Sequence, residues 1–557
     1  MPKQLSAHST LATLRKDAKR WLKAIRAGDG DALHHFLTLH PKAGPAPGLR
    51  DVQHALARDY GFAGWPQLKE ELLGRALGRL GRQELVDVVL HHVWEGDLPA
   101  ATRIAARHPE IAGENIYTAI LFGDLERLQA FLAEDPAGAN RKGGVMNWEP
   151  ILYLAYGRLP VPAFVENSPA MANLLIDHGA DPNVSFDDGW GNPFKPLTGV
   201  IGLGEGVRPP HPRDVEMARL LIERGADPFD TQAFYNCSIV GDDTSWLDFL
   251  YAACEERGLT GRWSDINFGL GEKRKLPTLD YLLGNAVTFN HPRRTEWLLR
   301  HGANAGSRNA YSQRLHHEEA LLLGFDEVAD ILLRHGAPHA EISGADAFRV
   351  AVLKLERARA RELAERHPAY LKHAPAMAAA IFARRLEAVE LLLDLGMDVN
   401  LPDANGALPI HVAAQVNCVE IGKLLVGRGA NLEFREPKYG GTPLGWANHL
   451  HSPAMIEFLL PLSRDVFEIT NLARAERLEA LLSEEPALAN AVQPFHRITP
   501  LFCLPDDEDE AVHMAELLLA HGADPTFRGK QGATPEQAAR KRGLEDAAEI
   551  IREAAGG

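Results

Sequence analysis

Cysteine is scarce in this 557-residue chain: Cys237, Cys254, Cys418 and Cys503 lie far apart, with no C-x-x-C pair. That excludes a disulfide scaffold and a zinc ribbon, and it fits a reducing compartment. Long apolar runs are missing as well. No stretch approaches the ~18 residues of a membrane span, and the stretch from Met1 to Ile25 carries charges every few positions. Neither membrane insertion nor a signal peptide is expected, and a cytoplasmic location follows. Positive charge is in deficit, 59 Lys and Arg against 75 Asp and Glu, for a net charge of −16 with His neutral. So acidic a chain repels phosphate backbones, which argues against nucleic acid as its partner. Catalytic signatures are lacking too: there is no G-x-S-x-G, no Walker motif and no H-E-x-x-H. The pairs His34-His35, His91-His92 and His316-His317 point adjacent side chains apart on a helix. Gly202-Leu203-Gly204-Glu205-Gly206 lacks the strand and register of a dinucleotide loop. No cofactor and no metal site is expected. The 45% hydrophobic and 24% charged composition is nevertheless that of a folded protein.

What the chain does contain is a recurring phrase. It reads LLIDHGADPN (174–183), LLIERGADPF (220–229), LLRHGANAG (298–306), LLRHGAPHA (332–340), LLDLGMDVN (392–400), LLVGRGANLE (424–433) and LLLAHGADPT (517–526). Its glycines at 302 and 336, and at 396 and 429, recur at a period near 34 residues. A second phrase follows several of them: Leu408-Pro409-Ile410-His411-Val412-Ala413-Ala414, Gly441-Thr442-Pro443-Leu444 and Ala533-Thr534-Pro535. Thr-Pro opens a helix, because Thr caps orphan N–H groups and Pro fits the first helical turn. Leu and Ala at helical spacing then give a short helix suited to close stacking. A second helix carries the Leu-Leu pair and ends at Gly, which takes the left-handed conformation that stops it. His178, His301, His335 and His521 precede that Gly, where a cation meets the helix dipole.

These phrases resemble the ankyrin repeat, with its helix–turn–helix unit and T-P-L-H-x-A signature; the best unit is Asn405–Glu433. Degenerate units close on Pro, as at His108-Pro109, Asp135-Pro136, His367-Pro368 and Glu485-Pro486. The expected fold is all-α: an ankyrin-repeat solenoid of about fourteen helix–turn–helix units, preceded by a small helical N-terminal region. Residues 1–78 form that region and residues 79–557 the array, with insertions at about 185–212 and 259–276. Tyr60-Gly61-Phe62 and Trp65-Pro66-Gln67-Leu68-Lys69 resemble the segment before the repeats in bacterial ankyrin proteins, which implies a bacterial origin. The charged segment Ala538–Glu553 reads as a terminal capping unit.

The resemblance implies a non-enzymatic scaffold that recognises a protein partner, of unstated identity, through its concave face and hairpin loops. Departures from the repeat are then the informative places. The long loop from Ser185 to Phe194 presents aromatics between carboxylates, which nominates Asp187, Asp188, Trp190, Asn192 and Phe194 as partner contacts. Tyr235 and Asn236 fall near the signature His on an inner helix, where Asn236 either faces a partner or ties down the preceding hairpin. The many aromatics of this region either anchor a partner or supply the insertions with a small core of their own. The alternative function is a small-molecule receptor or enzyme with a pocket built by the 185–295 insertions. Asp242 and Asp243 follow Gly241 and read as helix caps rather than a catalytic pair. Arg15, Lys16, Lys19, Arg20, Lys23 and Arg26 read as the solvated flank of a helix. The acidic run Asp506–Glu510 favours the dipole of the next helix and offers a rim to an electropositive partner segment.

Overall fold

The structure, a computed structural model, describes the chain apart from residues 1–2, 7–8, 42, 45, 188, 190–192, 205–207, 270–274 and 557. Short helices alternate along it, and each pair is one inner and one outer helix. The unit expected to be best formed has its inner helix at Pro409–Gln415 and its outer helix at Val419–Gly427. Where the phrase has Thr, the hydroxyl caps the inner helix: Thr442 accepts from Gly445 N–H and Thr534 from Gln537 N–H. At Leu408 no hydroxyl is present, and buried His411 substitutes, its Nδ1 accepting from Leu408 N–H at 3.2 Å. The histidines before the terminal Gly act through a hydrogen bond. The Nδ1–H of His178, His301 and His521 donates to the carbonyls of Leu174, Trp297 and Leu517. Between inner and outer helices one residue turns left-handed. Gly is obligatory at Gly123 (φ +74°), because a Cβ there would lie 2.2 Å from the backbone of Ala163 and Phe164. Leu355, Arg384 and Ala473 take the same conformation.

The contacts group the chain into two compact units, one of residues 74–342 and one joining residues 1–73 to 343–557. This differs from a linear division at residue 78. In the 74–342 unit, inner helices run from Arg82–Glu95 to His316–Leu323 and outer helices from Leu98–Arg107 to Asp326–Arg334. Its apolar core includes Val89, Ile120, Leu152, Leu175, Leu221 and Leu282. The only strands among the described residues are two antiparallel ribbons: Phe186–Asp187 with Pro193–Phe194, and Ile266–Gly269 with Lys275–Pro277. The first falls within residues 185–212, and the second ends at Pro277. The second insertion also carries Trp263, fully buried against Phe234 and Trp297. Phe229, Phe234, Tyr281 and Trp297 are likewise buried, so most aromatics of this region form its core.

In the other unit the inner–outer alternation runs from Gly344–Leu353 to Glu545–Gly556, with a single 3-10 turn, Pro500–Phe502, replacing one inner helix. The N-terminal helices Leu11–Arg26 and Leu49–Asp59 pack on the last two outer helices, Glu508–Ala520 and Glu545–Gly556. The capping segment is therefore itself covered. Arg15 reaches Glu508 at 2.6 Å and Asp546 at 2.9 Å, and Lys19 reaches Glu549 at 2.6 Å. Arg50 and His54 meet Asp509, and Lys69 meets Glu508. Two sequence readings are corrected by this. Arg15 and Lys19 do not lie on a solvated flank, and the electropositive segment that answers the acidic run is the chain's own N-terminal region. Opposite charges carried on two amphipathic surfaces pair when the apolar faces beside them are buried together.

Candidate functional site

The 185–194 loop is a hairpin standing on an aromatic base. Phe194 stacks on Phe186 across the ribbon, ring centroids 5.4 Å apart, and Phe186 stacks on Trp148 at 4.1 Å. Trp94 meets Trp148 edge-on at 4.5 Å, and the Arg208 guanidinium lies over the Trp94 and Tyr156 rings. Phe194 is thus half-buried in the base. Asp187 is exposed at the ribbon's end, where its Oδ1 accepts from Gly189 N–H at 2.6 Å. Asp188, Trp190 and Asn192 lie outside the described residues. Tyr235 is half-buried against the core. Asn236 is buried, its amide donating to the Gly202 carbonyl and its Oδ1 accepting from Gln232, each at 3.0 Å. That is the tying role. The structure brings Phe194 together with Phe186, and Asn236 together with Gly202.

Pro209 of the Gly202–Pro212 insertion is held from beneath. Buried Arg158 donates to the carbonyls of Ala155, Gly157, Gly199 and Pro209. Burial, with Arg208 nearby, holds its pKa down to about 10. Burial also pushes the adjacent His211 down to about 3, helped by Arg158. A fixed cation whose hydrogen bonds all go to main-chain oxygen is a structural brace. The cavity between Trp94, Trp148, Tyr153 and Tyr156 measures about 20 Å³, room for a water molecule at most. No cluster of three metal-binding side chains occurs among the described residues. Asp242 accepts from Arg293 and Arg294 N–H, and Asp243 accepts from Ser245, so both cap outer helices.

Two features escaped the sequence reading. The first is at the hairpin tips, where Val145, Tyr311, Tyr439 and Phe495 are 41%, 51%, 61% and 42% exposed. The turn at Tyr439 is held by hydrogen bonds. Buried Glu436 accepts from the N–H groups of Lys438, Tyr439 and Gly441, and Phe495 of a neighbouring hairpin presses on Gly440. An aromatic between turn residues was legible in Lys438-Tyr439-Gly440, but its exposure was not.

The second is a cavity of about 340 Å³ beside the inner helices Pro443–His449 and Val466–Asn471. Gly445 stands where His411 stands in the preceding unit. The Glu468 side chain lies on that bare backbone, 3.2 Å from where a Cβ would be. Burial raises the Glu468 carboxyl, with Asp465 adding to it, and burial with the Glu468 charge pushes the Cys503 thiol up to about 12. The departure from the signature at Gly445 was the sequence signal.

A stack of inner–outer helix pairs joined by hairpins defines a helical-repeat protein. Residues 376–470 match the family model for ankyrin repeats (3 copies). Ankyrin repeats are in general protein–protein interaction modules and typically non-catalytic. No curated protein matches the chain. Among solved structures, an ankyrin repeat domain from Acinetobacter baumannii AYE is 19% identical, with 32% of this chain and 96% of that one covered, at a TM-score of 0.26. The ankyrin repeat domain of Bcl-3, a member of the IkappaB family, is 17% identical over 37% of this chain and 97% of that one, also at 0.26. No helix among the described residues is long and apolar enough to cross a membrane.

Proposed function

We propose that the chain is a non-enzymatic scaffold that holds a protein partner along its hairpin tips and inner helices, the concave side of an ankyrin array. The observation that carries this is the exposure of large apolar side chains at hairpin tips, foremost Tyr439 at 61% above a turn pinned by buried Glu436. A rigid aromatic that is already exposed loses little conformational freedom on binding and buries a large area, the property of interface hot spots. The hairpin ending in Asp187 is a second contact in this reading, braced by Phe194 and Trp148. Four free cysteines fit a reducing, cytoplasmic setting, and the net charge of −16 fits a polypeptide partner better than nucleic acid.

The test is cross-linking capture from a lysate of the source organism. Native protein is compared with Tyr439→Ala/Phe495→Ala and with Asp187→Ala/Trp190→Ala. A protein enriched by the native bait and lost with a tip variant of unchanged thermal midpoint supports the reading. Equal capture by all three baits removes the tips as the binding surface.

A further inference from the structure

The structure assigns the cavity beside Gly445 and Glu468 as a receptor for one guanidinium group, an arginine side chain of the bound partner. This rests on the reading that a polypeptide lies along the inner helices. At the helical position where the signature has His, successive units carry His411, then Gly445, then Glu468, then Phe502. His411 is fully buried and closes its own unit through Leu408 N–H and the Gly441 carbonyl. Gly445 has no side chain to do this, and Thr442 caps its helix instead. The cavity beside these helices is about 340 Å³, at the small end of ligand pockets of ~300–1,000 Å³.

The lining determines the chemistry. The two amide hydrogens of Asn448 are engaged by Glu468 Oε2 at 3.0 Å and Asn471 Oδ1 at 2.9 Å. What remains at Asn448 is acceptor capacity, beside an acidic side chain. Arg542, in the cavity wall, turns to Asp506 at 2.6 Å, and Arg435 is 2.7 Å from Asp465 while lying over the Phe467 ring. His449 is exposed at the rim. Burial is the chief cause of the upward shifts of Glu468 and Cys503, with neighbouring carboxylates adding to both. A planar donor with several N–H groups, able to sit against the Phe502 ring, answers separated acceptors and an aromatic wall better than a point-charge ammonium does.

The probe is argininamide, titrated into full-length protein labelled with 15N-asparagine, with citrullinamide (neutral and near-isosteric) and lysinamide as comparisons. Saturable shifts of the Asn448 and Asn471 side-chain signals are expected with argininamide. Lysinamide should need several-fold higher concentration, and citrullinamide should give no saturation. Glu468→Gln should abolish the response, and Asn471→Ala, at an exposed position, should weaken it several-fold while the thermal midpoint holds. No saturable shift with argininamide, an equal response to citrullinamide or lysinamide, or an unaltered response in both variants would overturn the assignment. These outcomes are independent of lysate capture: failed titration with tip-dependent capture removes the pocket alone, and saturable titration with tip-independent capture removes the tip reading alone.

Discussion

Replacing Arg15 with Met should release the N-terminal helices from the end of the array. The Arg15 guanidinium bridges Glu508 and Asp546, whose side chains are 10% and 2% exposed. Gln53 is the other side-chain donor to Asp546, and Asp546 Oδ1 has no partner. Met preserves the apolar stem of Arg15 and removes only the charge. Stripping one partner from a buried pair costs about 3–5 kcal/mol; Arg15 is 18% exposed and Lys69 still neutralises Glu508, so about 2–3 kcal/mol is expected. That is about 30- to 160-fold in the local opening constant. Amide hydrogen exchange should therefore accelerate by this factor in 11–26 and 49–59 and stay unchanged in 82–95. Burial already raises Asp546 above its ordinary value, and losing Arg15 raises it further. A carboxyl whose folded pKa exceeds its unfolded one gains stability as pH falls, so the cost should be smaller at pH 5 than at pH 8. Adding Asp546→Asn to the Met variant should restore most of the protection, because a buried ion without a partner becomes a neutral amide. Native exchange rates in the Met variant, or no recovery with Asn, would refute the electrostatic account of the docking.

Gly96→Ala and Gly123→Ala should separate in chemical denaturation although both sites are left-handed: nothing lies within 4 Å at Gly96, whereas backbone lies 2.2 Å away at Gly123. The first should cost about 1 kcal/mol of strain and the second about 2–4 kcal/mol, and equal costs would exclude the clash as the cause. Burial, the chief cause, pushes His411, His316 and His291 down to about 4. A histidine depressed below its unfolded value near 6.5 supports folding fully above that pH and loses its contribution as pH falls toward 4. The thermal midpoint should be flat from pH 8 to 7, fall from pH 6.5 to 5, and fall less steeply in His411→Gln; a flat native profile would refute this.

The repeat was legible because each of its signals is local. Thr442 and Thr534 cap the helices they precede, and Gly179, Gly225 and Gly429 are left-handed where the phrase stops its helix. Asp243 caps the helix it precedes, as its position after Gly241 implied, whereas Asp242 caps the Pro292–Arg300 helix about 50 residues on. The site was less legible. Phe194 and Asn236 were nominated as departures from the repeat, but a departure does not say whether a side chain turns outward. Phe194 stacks in the hairpin's base and Asn236 turns to Gly202, whereas Tyr439, in an unremarkable turn, is 61% exposed.

Helix phrasing, the unit period and the all-α class were determined by the sequence itself, since capping, breaking and apolar periodicity act within a turn or two of chain. Only the tertiary structure decided that Arg15 meets Asp546 across 531 residues, and that the Glu468 side chain covers Gly445 beside a cavity. Neither follows from local pattern. A basic helix flank reads the same whether water or a carboxylate faces it, and a missing side chain becomes a pocket only when its neighbours leave the space unfilled.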